Sequence, residues 1–156
     1  MKPTLHAVFA HPDHIAVSRY TTQAFDLAGS STDFPEAGLP WQPKRLFYNA
    51  IPPSFFVEMR RQMQALGMDT SQFDGFDLRR HGLSDDQITT RIDVAQFADA
   101  QWNALRCHGT QFGEDNLLHR LPEEELRQMM AREYFAQARP DATNGSQKSD
   151  ESLLDL

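Results

Sequence analysis

Apolar and polar positions along the chain switch between two periods, and the switches lay out a series of short elements. Thr4 to Phe9 (TLHAVF) is rich in β-formers and reads as a strand, followed by a loop from Ala10 to Asp13. From Ile15 to Ala28 the residues Ala16, Tyr20, Ala24 and Leu27 recur at helical spacing. Gly29 stands just past that stripe, where glycine commonly ends a helix. The chain therefore opens strand, loop, helix. The stretch Ser30 to Pro43, with Pro35, Gly38, Pro40 and Pro43 around Trp41, has no period and reads as a loop. Arg45 to Asn49 (RLFYN) reads as a strand ended by Pro52-Pro53, and Phe55 to Leu66 as a helix stopped by Gly67.

Asp69 to Asp86 is irregular, and Gln87 to Ile92 (QITTRI) reads as a short strand. Asp93 with Gln96 three residues on resembles a capping box. It opens a helix that sets Val94, Phe97, Ala98, Trp102 and Leu105 on one face and ends near Gly109. Leu126, Met129, Met130 and Tyr134 mark a last helix, with Pro122 at its first turn. Beyond Pro140 the composition turns to Ser, Asp and Asn, which predicts a disordered tail over 140–156 behind a single domain over 1–139. No internal repeat is present. Strands alternating with helices predict an α/β fold: a partial doubly wound, Rossmann-like sheet with flanking helices.

Composition narrows the classes. With 156 residues, 40% hydrophobic, 11 Phe and 2 Trp, the chain can bury a core; a domain of this size buries roughly 68–70% of its unfolded surface. A formal net charge of -7 without a basic stripe argues against a nucleic-acid partner. No apolar run approaches the ~18 residues of a membrane span. His6 interrupts the only leader-like stretch, which leaves no signal-peptide pattern. A single cysteine, Cys107, rules out an intramolecular disulfide framework and suits a reducing compartment, so a cytoplasmic protein is expected.

The chemistry-bearing residues are few. His11-Pro12-Asp13-His14 is the one constellation of metal-site type, placed at a strand-to-helix junction where open α/β sheets gather ligands. Imidazoles and a carboxylate on a tight loop can face a common point. Such ligands suit zinc, and a catalytic zinc needs three protein ligands and an open position for water. A neighbouring carboxylate then takes the proton of the water and an imidazole protonates the departing amine. The same four residues also read as ordinary loop and helix-start positions. His108, in Cys107-His108-Gly109-Thr110-Gln111, either lines a pocket or interacts with the last carbonyls of its helix. Cys107 falls in a helical pattern and is expected to be buried and inert. His81 and His119 read as surface residues, and Glu123 to Glu125 as the acidic first turn of a helix.

Several segments, in order, resemble the PIG-L/LmbE-like zinc-dependent N-deacetylases. They are His11 to Gly29 (HPDHIAVSRYTTQAFDLAG), Phe34-Pro35-Glu36, Trp41 to Tyr48 (WQPKRLFY), Ile88 to Val94 (ITTRIDV) and His108 to Gln111 (HGTQ). The resemblance runs from about His11 to Phe135. It implies an α/β fold, zinc as cofactor, and hydrolysis of an N-acetyl amide on an amino-sugar-type small molecule. The family uses an early AHPDD-type motif for two zinc ligands and the aspartate base, and a later HPDH motif for the third ligand and an oxyanion/leaving-group histidine. This chain has one such motif: Leu5 to Asp13 resembles the flank of the early one, and His14 onward the flank of the later one. The resemblance thus assigns His11 and His14 to the metal, Asp13 and His11 to catalysis and His108 to substrate binding. It also implies a truncated domain joined across a shared HPD, with the intervening segment missing and activity weakened or lost. The alternative is an inactive remnant serving as a binding or interaction module.

Overall fold

The computed structural model describes residues 12–74, 83–110, 117–140 and 148–149. Helix α1 (Pro12–Leu27) opens on a proline, whose fixed φ suits a first helical turn and whose missing N–H costs nothing there. At its other end Gln42 donates from Nε2 to the Phe25 carbonyl at 3.0 Å, which satisfies an oxygen that a helix terminus leaves without a partner. A Cβ at Gly29 would run into the exposed Gln42 side chain, which would have to swing aside and give up its bond to Phe25 O.

Strand β1 (Leu46–Ala50) leads through Pro52 into helix α2 (Pro53–Ala65). The helix ends in a Schellman motif: Gly67 takes φ 70°, its N–H donates to Gln64 O at 3.0 Å, and Met68 N donates to Met63 O at 2.9 Å. Strand β2 (Thr90–Asp93) is followed by a 3-10 turn and helix α3 (Ala98–Arg106). Asp93 Oδ1 accepts from Ala95 N at 3.0 Å and so holds the turn ahead of α3. The predicted Asp93–Gln96 capping box is not made: the turn begins after Val94 and α3 after Phe97, neither with a side-chain cap. Helix α4 (Glu123–Met130) carries Glu123, Glu124 and Glu125 at its positive end, and strand β3 (Arg132–Arg139) follows directly.

The sheet order is β1-β3-β2-β4, where β4 is Lys148–Ser149. β3 is central and antiparallel to both neighbours, with Ala50 opposite Tyr134 and Thr90 opposite Phe135. Its register against β1 shifts between Leu46 and Phe47, which face Arg139 and Gln137 and leave Ala138 as the extra residue. β2 and β4 pair in parallel. The architecture is small, mixed α/β and partial, as the pattern of elements predicts. Parallel strands of the doubly wound kind are not among those described, and the strand predicted at Thr4–Phe9 lies outside the described residues.

Among the described residues, two clusters form the core. Phe56, Met59 and Met63 of α2 pack with Leu121 and Met129, and Met63 is fully buried. Each such side chain contributes about 1.5–3 kcal/mol by leaving water. Ala50, Leu83, Ile88 and Ala136 form the second cluster under the sheet, with Tyr134 packed against it.

Four further expectations are corrected. Tyr134 does not continue the last helix: α4 stops at Met130, and Tyr134, Ala136 and Ala138 alternate along β3. Both readings put Tyr134 on an apolar face, and only the pairing with β1 and β2 decides between them. Gln87 does not begin β2, because its Oε1 accepts from Ser84 N at 3.0 Å and from Ser84 Oγ at 2.8 Å, holding a turn over Asp85–Gln87. Phe97 does not pack with Ala98; it precedes α3 in the 3-10 turn and stays exposed. Cys107 is exposed, since it lies past the last turn of α3 and off the face of Ala98, Trp102 and Leu105.

Candidate functional site

Asp13 and His14 sit in the first turn of α1 rather than on the predicted loop, because the helix begins at Pro12. A carboxylate there is favoured by the positive end of the helix. Both side chains are exposed. Successive helical residues point about 100° apart, so Asp13 and His14 by themselves do not face one point. His11, three residues before His14 and assigned to both metal and catalysis, lies outside the described residues.

What places this turn is the attachment of α1 to the sheet. The helix has no buried residue. Thr22 Oγ1 lies 2.6 Å from Tyr48 OH on β1 and also donates to Ser18 O at 2.7 Å. Asp26 receives Arg139 of β3 in two parallel bonds, Nε to Oδ1 at 2.9 Å and Nη2 to Oδ2 at 3.0 Å. Such a fork is the strong geometry for an arginine and a carboxylate. These anchors escape a reading of the sequence: Asp26 and Arg139 are 113 positions apart, and nothing local pairs them.

His108 lies two residues beyond the end of α3, exposed, with its backbone N–H on Leu105 O at 3.0 Å. Neighbouring Cys107 donates from Sγ to Asn103 O at 3.3 Å. His119 is exposed, as predicted, yet it has a partner: its ring lies 5.1 Å from that of Trp102. His81 and Gln111 lie outside the described residues.

Among the described residues, no group of three or more His, Cys, Asp or Glu side chains is gathered closely enough to hold a metal ion. His108 is therefore not brought into a metal-holding set with Asp13 and His14. A catalytic zinc takes three protein ligands, and the described residues do not supply that set.

Pro12, Asp13 and His14 open α1 of a small mixed α/β unit, and sequence comparison gives its relatives. The 1D-myo-inositol 2-acetamido-2-deoxy-alpha-D-glucopyranoside deacetylase 1 of Frankia alni is 29% identical over 146 residues, covering 89% of this chain and 50% of the relative. The corresponding deacetylase of Streptomyces avermitilis is 30% identical over 129 residues, covering 81% and 44%. That of Rhodococcus opacus is 35% identical over 107 residues, covering 66% and 34%. Over most of its length the chain is similar to these deacetylases, as the resemblance to the PIG-L/LmbE-like enzymes implies. It spans half the length or less of these relatives. No family model matches, and no solved structure matches. No helix among the described residues is long and apolar enough to cross a membrane.

Proposed function

We propose that this chain carries part of a zinc-dependent N-deacetylase for an amino-sugar-type substrate, with activity weakened or lost when the chain acts alone. The observation that carries the reading is the match, over most of this chain, to enzymes named as deacetylases of an acetamido-deoxyglucopyranosyl inositol. His11 and His14 would hold the metal, Asp13 would take the proton of the attacking water, and His108 would sit against the substrate. Zinc supplies polarisation of an amide oxygen and a water acidic enough to attack near neutral pH. Two imidazoles fall short of the three protein ligands that such a zinc needs, and HPDH cannot serve as both family motifs at once. The unit that carries these residues is 1–139, followed by 140–156, of which Lys148 and Ser149 pair with β2, and cytoplasmic residence accords with a single cysteine.

The test is metal content and turnover of the purified chain. After dialysis against buffer at neutral pH, retained zinc is expected well below about one per chain. Acetate release from N-acetylglucosaminyl inositol is expected near background. Tight retention of a full equivalent of zinc, together with acetate release at the rate of a full-length relative, would refute the incompleteness. Zinc retention that is unaltered in His14→Ala would refute the assignment of His14. An encoding gene whose undeleted relatives share the same single motif at the same length would refute the joining across HPD.

The second reading, a remnant acting through an interaction surface, is favoured by one observation. Large apolar residues on α1 and in the loop after it face solvent.

A further inference from the structure

The two sides of the sheet are guarded differently. β1 is bracketed by Pro43 before it and Pro52-Pro53 after it, and prolines at the ends of a strand blunt an edge against further pairing. β2 is covered instead by the chain's own backbone, Lys148–Ser149, in parallel register with Thr90 and Arg91. Ile92 and Asp93 have no partner on that side among the described residues. So short a pairing is a weak hold. Parallel ladders are the less stable kind, and few bonds here order a separate stretch of chain. The tether adds little restraint. Crossing two strand spacings and stepping back from Arg139 to the level of Phe135 needs roughly 16 Å. The chain from Arg139 to Lys148 can extend to about 30 Å.

The strand beneath this strap can pair with itself. Along β2, Thr90 and Ile92 point to one face of the sheet, and Arg91 and Asp93 to the other. Thr90 is buried and Ile92 half-buried, so theirs is the core face; Asp93 on the other is exposed. Two copies of β2 laid antiparallel about a two-fold axis at Ile92 set the two Ile92 residues opposite each other. Arg91 of each copy then stands opposite Asp93 of the other. Opposite charges directly across a ladder stabilise it, and a two-fold interface uses one self-complementary patch twice. Within its own sheet Asp93 faces Arg132 of β3, so its carboxylate would lie between two cationic strand positions.

We propose that the edge of β2 is a strand-pairing site for a second copy of this chain, kept closed by Lys148–Ser149 of the same chain. Charge complementarity of Arg91 with Asp93 selects the second copy as occupant. The strap sets how often the edge is open, because a site open only part of the time binds with its affinity reduced by that fraction. The inference rests on register and charge and is independent of the metal and of hydrolysis.

The experiment follows mass by light scattering over a concentration series of the full chain and of Lys148→Pro with Ser149→Pro. Proline has no N–H to give the ladder, and both positions lie outside the two core clusters, so the folded unit is kept. The proline variant is expected to dimerise at least about tenfold more tightly than wild type. Arg91→Glu added to it sets two carboxylates against each other across the pairing and should return it to monomer. Arg91→Lys keeps the charge and should keep the dimer. The proposal is overturned if the proline variant associates no more tightly than wild type or if Arg91→Glu leaves its dimer intact. It is equally overturned if Arg91→Lys dissolves that dimer as fully as Arg91→Glu does.

Discussion

Removing the two anchors of α1 by Tyr48→Phe and Asp26→Asn is expected to loosen that helix while leaving the sheet intact. α1 buries no residue, so the anchors carry an unusual share of its attachment. Tyr48→Phe deletes the hydroxyl 2.6 Å from Thr22 Oγ1, and Thr22 keeps its bond to Ser18 O at 2.7 Å, so no buried donor is stranded. A hydrogen bond of this kind contributes about 0.5–1.5 kcal/mol net. Asp26→Asn removes the charge facing Arg139; the two side chains are 44% and 36% exposed, so solvent screens the pair and the loss is about 0.2–1 kcal/mol. If the sites act independently, the sum is roughly 0.7–2.5 kcal/mol, or about a 3- to 70-fold rise in the opening constant of the helix.

Native-state amide hydrogen exchange reads this directly, because local opening frees the amides of one element at a time. Protection should fall by that factor across α1 and stay near wild type in β1 and β3. The Asp26 share should shrink as salt is raised, and the Tyr48 share should not. Unchanged protection in α1, or an equal loss in β3, would refute the view that these contacts hold α1 as a separately opening element.

Met63→Ala removes a fully buried side chain from the α2 cluster and should cost about 2–5 kcal/mol. At roughly 2–4 °C per kcal/mol, thermal melting should fall by about 4–20 °C. Gly67→Ala forces a Cβ onto a residue at φ 70° and should cost about 1–2 kcal/mol, measurable by urea unfolding with an unchanged slope. Glu58 titrates below the ordinary glutamate value because it accepts hydrogen bonds from Arg61, against a small opposing effect of burial. Its contribution is therefore present above the unfolded pKa and lost as pH falls through the lower folded one. Stability curves of wild type and Glu58→Gln should separate at neutral pH and converge in acid, and a gap that widens in acid would contradict that sign.

The elements closed by local chemistry were legible in advance. Pro53, the run Phe56, Met59 and Met63, and Gly67 specify α2 from first turn to Schellman cap within one stretch of chain. α1 ends beside Gly29 with Ala28 N on Ala24 O and Ser30 N on Leu27 O, without the left-handed glycine that closes α2, and Asp93 holds the turn ahead of α3. β3 was hidden because its apolar residues follow α4 without a break, so Tyr134 fitted a helical stripe as well as a strand. Of the candidate site, the sequence supplied residue identities and a resemblance to deacetylases. It could not supply convergence, since whether His14 and His108 share a point depends on contacts between elements far apart in the chain.

The sequence by itself determined the helices α1 and α2, the strand β1, the acidic start of α4 and the resemblance to deacetylases, because caps, stripes and motifs are written over neighbouring residues. Tertiary structure alone decided that β3 is the central strand, that Arg139 reaches back to Asp26, and that the apolar stripe of α1 lies open. Each of these depends on which surface meets which, and the stripe of Ala16, Tyr20, Ala24 and Leu27 reads the same whether its partner is present or not.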